Sequence, residues 1–155
     1  GIPVFLDPAP VPPEGLPEEL YAKLTYIAPN SIEAELLTGI HVSDTASARA
    51  AAQFFLARGV KNAVIKLGSH GVYAANEQGE QLIPPYHVDA IDTTAAGDTF
   101  GGAFCARISG GSSLEDALHF ANAAGAFSTT RAGAQPAMPS LEEINLFLQE
   151  KGDVR

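Results

Sequence analysis

The chain has 155 residues, 46% hydrophobic and 17% charged, with a formal net charge of −9, a composition that suits one globular domain able to bury a core. Its Lys and Arg residues are dispersed without a basic stripe, which argues against a nucleic-acid surface. No apolar run approaches the length of a membrane span, and Gly1-Ile2-Pro3-Val4 lacks the basic start and apolar stretch of a signal peptide, so no membrane association and a cytoplasmic location are expected.

Short apolar runs alternate with helical patterns, the signature of an α/β sheet with parallel strands. Val4 to Asp7 reads as a short strand, and Pro8, Pro10, Pro12, Pro13 and Pro17 then demand a loop. Glu18 to Lys23 reads as a short helix and Leu24 to Ala28 as a strand. Asn30 with Glu33 forms the pattern of a capping box, and the helix it opens should stop at Gly39. A second helix is predicted over Thr45 to Arg58, capped by Gly59. Asn62 to Leu67 is an apolar strand, and Gly71 to Ala75 with Gln81 to Pro84 reads as a hairpin turning through Asn76 to Gly79. Further helices are expected from Gly97 to about Ser109, from Ser113 to about Thr130, and after Ser140. Leu141, Ile144, Phe147 and Leu148 should share the buried face of the last one. The lone Cys105 falls in an apolar helical run and reads as a small core residue.

Asp92-Thr-Thr-Ala-Ala-Gly-Asp-Thr-Phe-Gly-Gly102 carries the chemistry. Ala95, Ala96 and Gly97 have almost no side-chain bulk, so their NH groups can converge on an anion where the helix begins and its dipole adds positive charge. Asp98 then stands beside a phosphate, and its useful task there is to take a proton from an attacking hydroxyl. Capping and dipole preferences alone also favour an aspartate at that place. No Walker lysine loop, no Gly-x-Gly-x-x-Gly and no metal-binding spacing among His41, His70, His87 and His119 occur.

Asp92 to Phe100 resembles the C-terminal signature of the ribokinase family, also called the PfkB carbohydrate kinases. Leu6-Asp7-Pro8-Ala9-Pro10, Pro29-Asn30-Ser31-Ile32-Glu33-Ala34-Glu35, Lys66-Leu67-Gly68-Ser69-His70-Gly71 and Thr130-Arg131-Ala132-Gly133-Ala134-Gln135-Pro136 resemble ribokinase segments in the same order, so the likeness covers essentially the whole chain. It implies a three-layer αβα fold with a mostly parallel sheet. Family members run to roughly twice this length, so residues 1–155 correspond to the C-terminal nucleotide-binding and catalytic portion, without the N-terminal strands, the sugar-gripping residues and the lid.

The resemblance implies an ATP-dependent kinase for a sugar such as ribose, with Asp98 as general base at the sugar hydroxyl and Ala95, Ala96 and Gly97 as the anion hole. It places Asn30, Lys66, Leu67, Gly68, Ser69, His70, Gly71, Gly97, Asp98 and Asn122 around the nucleotide. Glu33 would hold magnesium through water. Asp92, Thr94, Ser128, Arg131, Gly133 and Ala137 correspond to a monovalent-cation site suited to K+, where alanine at 137 removes a hydroxyl that the family often has. The family often has threonine at the position of Lys66, and that lysine either reaches a phosphate or snorkels. Two other readings stay open: a catalytically silent nucleotide-binding or oligomerisation module, and a kinase for a nucleoside or another sugar. A partner is expected in either case, the remaining half of a kinase or a second copy covering an exposed sheet edge. Alone, the chain is expected to bind nucleotide weakly and to phosphorylate sugar poorly or not at all.

Overall fold

A computed structural model describes residues 1–153, which divide into two compact units, residues 1–84 and the residues from 85 onward. In the first unit the elements run β1 (Phe5–Leu6), α1 (Glu18–Tyr21), β2 (Tyr26–Ile27), α2 (Ser31–Thr38), α3 (Thr45–Leu56), β3 (Asn62–Lys66), β4 (Val72–Asn76) and β5 (Gly79–Ile83). They build one five-stranded sheet in the order β1-β2-β3-β4-β5.

The sheet is mixed rather than mostly parallel. β1, β2 and β3 pair in parallel, whereas β3–β4 and β4–β5 are antiparallel. The reason is connection length: only a single 3₁₀ turn, Gly68–His70, separates β3 from the strand that follows, and a parallel return needs a crossover of a dozen residues or more. Between β4 and β5 the chain reverses at Asn76, whose Oδ1 accepts the amides of Gln78 and Gly79.

Residues of β3 and β4 are buried on both faces, Ala63, Ile65, Tyr73 and Ala75 on one and Val64, Val72 and Ala74 on the other. The first set joins the main core of the unit with Leu24, Ile27, Ala34, Ala48, Ala51, Ala52 and Phe55. Its alanines let α3 lie close on the sheet, while Tyr21, Phe54 and Phe55 fill the end in edge-on and tilted contacts. α3 ends two residues before the expected Arg58. Its C-cap is Ala57, and Gly59 follows with φ 92°, where a Cβ would stand 3.1 Å from Ala22 Cα, so glycine is required both by conformation and by contact.

The second unit consists of α4 (Ala96–Ser109), α5 (Leu114–Ser128) and α6 (Leu141–Glu150). α4 and α5 run antiparallel: Gly125 meets Ala96 and Phe100 at one end, and the Arg107 guanidinium lies over the Phe120 ring at the other. Capping by Ser113 and Ser140 starts α5 and α6 as their sequences predict. α6 packs Ile144 and Phe147 against Phe120, Ala123, Ala124 and Phe127. Leu141 departs from the expected buried face, being 61% exposed, because it occupies the first helical position and its side chain leans back beyond the turns that pack. Cys105 is half-buried, and that burial pushes its thiol pKa up. Among the described residues no helix is long and apolar enough to cross a membrane.

Candidate active site

In the second unit, the residues singled out around Asp92 form a built turn. Asp92 Oδ1 accepts the Thr94 amide at 2.9 Å, and Oδ2 accepts the Gly133 amide at 2.8 Å. The amides of Ile91 and Asp92 both donate to the Thr129 carbonyl, at 2.7 and 3.0 Å. One carboxylate therefore fastens the turn to the loop after α5. Hydrogen bonds from the Thr94 side chain, the Gly133 amide and the Thr94 amide hold the Asp92 carboxyl down at about 2, so it stays ionised through the neutral range.

Ala95 follows as the N-cap of α4 with φ 59° and ψ 15°, and it is the one non-glycine residue at positive φ among the described residues. That conformation costs an L-residue about 1–2 kcal/mol, a strain of the kind that collects at functional turns. No side chain caps the helix. The amides of Ala95, Gly97 and Asp98 have no acceptor among the described residues. Ala96 differs from the expectation, because its amide already donates to the Thr93 carbonyl at 3.2 Å. The open donors are thus Ala95, Gly97 and Asp98, with the Asp98 carboxylate exposed beside them. The turn lies close on α5 because position 125 is glycine: a Cβ there would stand 3.2 Å from the Ala96 carbonyl oxygen.

Around the expected monovalent-cation residues, Asp92, Thr94 and Gly133 are joined directly by the bonds just described. The carbonyls of Thr94, Arg131 and Gly133 accept no hydrogen bond among the described residues, which fits a weakly hydrated cation held by backbone oxygens. The Ser128 carbonyl, by contrast, accepts the Arg131 amide at 3.3 Å, and the Ser128 hydroxyl donates to Gly125 O at 2.8 Å. The Arg131 guanidinium turns away to pair with Glu143 and to cover the Phe127 ring, so only its carbonyl is on offer. Ala137 is buried and supplies no side-chain oxygen. Asn122, 8% exposed on α5, is a buried asparagine rather than a surface one.

In the first unit, Asn30 and Glu33 form a complete capping box. Asn30 Oδ1 accepts the Glu33 amide at 2.9 Å and Glu33 Oε2 accepts the Asn30 amide at 2.7 Å. Burial pushes the Glu33 carboxyl pKa up, against the pull of the Asn30 bond and of Lys66. Its second oxygen has no hydrogen bond among the described residues, so it is available to a metal-bound water. Asn30 bridges Lys66 at the carboxyl ends of β2 and β3. Lys66 does not snorkel: its Nζ donates to Asp7 Oδ2 at 2.6 Å, with the two side chains only 12% and 19% exposed. Asp7 directly follows β1, so Asp7, Asn30 and Lys66 join the carboxyl ends of three parallel strands, the place where open α/β sheets bind ligands. Asp7 was not singled out from its residue type. The available signal was an acid directly after a strand and before a proline. Leu67, Gly68, Ser69, His70 and Gly71 close into a tight loop in which the Leu67 amide donates to Gly71 O at 2.9 Å, with Gly68 and Gly71 at positive φ. Ser69 and His70 are exposed.

In the first unit the sheet ends in Asp7, Asn30 and Lys66, where α/β sheets commonly bind ligands, and in the second a strained helix entry carries open amides beside an exposed carboxylate, an arrangement suited to an anion. A family model described as pfkB family carbohydrate kinase matches residues 1–141, and the chain belongs to that family. It is 44% identical over 146 residues to the ribokinase of Staphylococcus aureus, covering 94% of this chain and 47% of the relative. The crystal structure of Thermotoga maritima ribokinase superposes with a TM-score of 0.86 at 42% identity, over 95% of this chain and 49% of that one. The Arabidopsis thaliana ribokinase complexed with ribose and ATP gives a TM-score of 0.85 at 30% identity, over 96% and 48%. The fold is therefore the ribokinase-like αβα fold, and the chain spans about half the length of the curated relatives it matches.

Proposed function

We propose that residues 1–155 are the nucleotide-binding and catalytic portion of an ATP-dependent sugar kinase, with ribose as the acceptor. The observation that carries this reading is the turn before α4, where the amides of Ala95, Gly97 and Asp98 lack acceptors beside an exposed carboxylate. Those donors stabilise charge that grows on the transferred phosphoryl oxygens. Asp98 orients the acceptor hydroxyl and takes its proton late, once bond formation has made it acidic. The name of the Arabidopsis structure, which includes ribose and ATP, supports the substrate pair.

Asn30, Lys66, the Leu67–Gly71 loop and Asn122 contribute to nucleotide binding. Glu33, through the oxygen not used in the capping box, would hold a water of a magnesium ion bound with ATP, and that ion would neutralise phosphate charge. The carbonyls of Thr94, Arg131 and Gly133 would hold a potassium ion, whose charge would help keep the loop after α5 in place, and Asp92 fastens the phosphate turn to that loop. Asp7 positions Lys66. Taken alone the chain binds nucleotide weakly and turns over little, because Asp98 is the single acceptor contact among these site residues.

The test is ATP turnover with ribose, measured on the chain alone and on the chain joined to the N-terminal half of the Staphylococcus aureus ribokinase. Turnover in the joined protein that falls about a hundredfold or more in Asp98→Asn supports the proposal. Nucleotide binding without any turnover in the joined protein favours the silent module, and turnover with a nucleoside but not with ribose replaces the acceptor.

A further inference from the structure

Thr99, in the first turn of α4, is only 8% exposed, and its Oγ1 donates to the Ala95 carbonyl at 2.9 Å. The Thr99 amide donates to the same oxygen, also at 2.9 Å. The amide alone would satisfy that carbonyl, so the hydroxyl adds hold rather than filling a need. Among the described residues the other threonine hydroxyls that reach back to a carbonyl, Thr38, Thr129 and Thr130, sit at or just past helix C-terminal ends, where carbonyls run short of amide donors. Of these threonines only Thr99 does so at a helix start.

What the hydroxyl holds is the peptide between Ala95 and Ala96, which is bonded on its other side as well, since the Ala96 amide donates to the Thr93 carbonyl at 3.2 Å. The preceding peptide carries the Ala95 amide and the Thr94 carbonyl, and neither has a partner among the described residues. Ala95 joins the two at φ 59° and ψ 15°, a left-handed conformation that an alanine leaves readily unless its neighbours are fixed. We propose that Thr99 is a positioning residue: its hydroxyl pins the Ala95 carbonyl, which keeps Ala95 left-handed and the amides of Ala95, Gly97 and Asp98 aimed at one phosphoryl group. That phosphoryl group belongs to the kinase reading, on which this role rests, whereas the hold on Ala95 stands on the bonds of the turn alone. Donors that stabilise charge growing in the transition state act on the chemical step, so a slackened turn lowers kcat and leaves the KM for ATP nearly unchanged. One neutral hydrogen bond is worth about two- to tenfold in such a balance.

Two variants test this, Thr99→Val, which removes the hydroxyl and keeps the branched shape, and Thr99→Ser, which keeps the hydroxyl. Each is made in the chain and in the chain joined to the N-terminal half of the Staphylococcus aureus ribokinase. In the ¹⁵N-labelled chain the three-bond coupling between the Ala95 amide and α protons follows φ, and it needs no ligand. Thr99→Val is expected to move that coupling off its wild-type value with the cooperative urea transition kept, and in the joined protein to lower kcat about two- to tenfold with the KM for ATP within about twofold. Thr99→Ser is expected to recover both. An Ala95 coupling unchanged in Thr99→Val, a kcat loss that Thr99→Ser shares, or lower stability with kcat unchanged would overturn the role. A joined wild type without any turnover sinks the kinase reading instead, and the Ala95 coupling still decides whether Thr99 holds the turn.

Discussion

Gly125 fixes how closely the phosphate turn sits on α5, and its replacement has a calculable effect. Glycine inside a helix costs about 0.8–1 kcal/mol relative to alanine, so an exposed helical glycine changed to alanine should stabilise the protein by that amount. Gly102, on α4, is such a position, because a Cβ there meets nothing within 4 Å. At Gly125 the same Cβ lies 3.2 Å from the Ala96 carbonyl oxygen and 3.6 Å from Phe100 Cβ. The backbone oxygen must then retreat by a few tenths of an ångström, which offsets the propensity gain and leaves Gly125→Ala near neutral. Gly125→Val adds two branches toward Phe100 and recovers less propensity, so overpacking of about 1–3 kcal/mol should dominate. Urea and thermal unfolding check the order, with Gly102→Ala above wild type, Gly125→Ala level with it and Gly125→Val below. The thermal midpoint should move roughly 2–4 °C per kcal/mol for a chain of this size. A Gly125→Val protein as stable as Gly102→Ala would refute the close approach and with it the seat of the turn.

Breaking the Asp7–Lys66 pair should couple strongly: Lys66→Met leaves a mostly buried carboxylate unpaired, so a double-mutant cycle with Asp7→Asn is expected to give about 1–3 kcal/mol of interaction by urea unfolding. Independent costs for the two changes would contradict the pairing. Asn30→Ala should lower stability by about 1 kcal/mol and weaken ADP binding measured by calorimetry, while loss of stability alone would reduce Asn30 to a cap. Acid should release the turn from the loop after α5. The Asp92 pKa is held at about 2, below its unfolded value near ~4, so its contribution is fully present above ~4 and lost as pH falls through about 2. The Gly133 amide signal should report that loss in this window and lose its pH dependence in Asp92→Asn.

Helix boundaries were legible where side chains carry the signal. Asn30 with Glu33, Ser113, and Ser140 with Glu143 each start a helix as read, because capping is a local hydrogen bond between residues three apart. The antiparallel turn of β4 onto β3 was legible only as a hairpin further on, since strand direction depends on a connection length that apolar runs do not encode. The phosphate turn showed in its small residues and two aspartates, yet which amides stay open did not. That depends on Ala96 bonding back to Thr93 and on Ala95 adopting positive φ, in a turn that Asp92 ties to Gly133, 41 residues away in sequence. Lys66 remained ambiguous for a similar reason, since its partner Asp7 is distant in sequence and meets it only when β1 and β3 flank β2.

Amide chemical shifts in the protein joined to the Staphylococcus aureus N-terminal half, recorded with and without a non-hydrolysable ATP analogue and magnesium, test the phosphate turn most directly. The account predicts large saturable shifts at Ala95, Gly97 and Asp98, with the same analogue affinity retained in Asp98→Asn while turnover collapses. Analogue binding that leaves those three amides unmoved would contradict it.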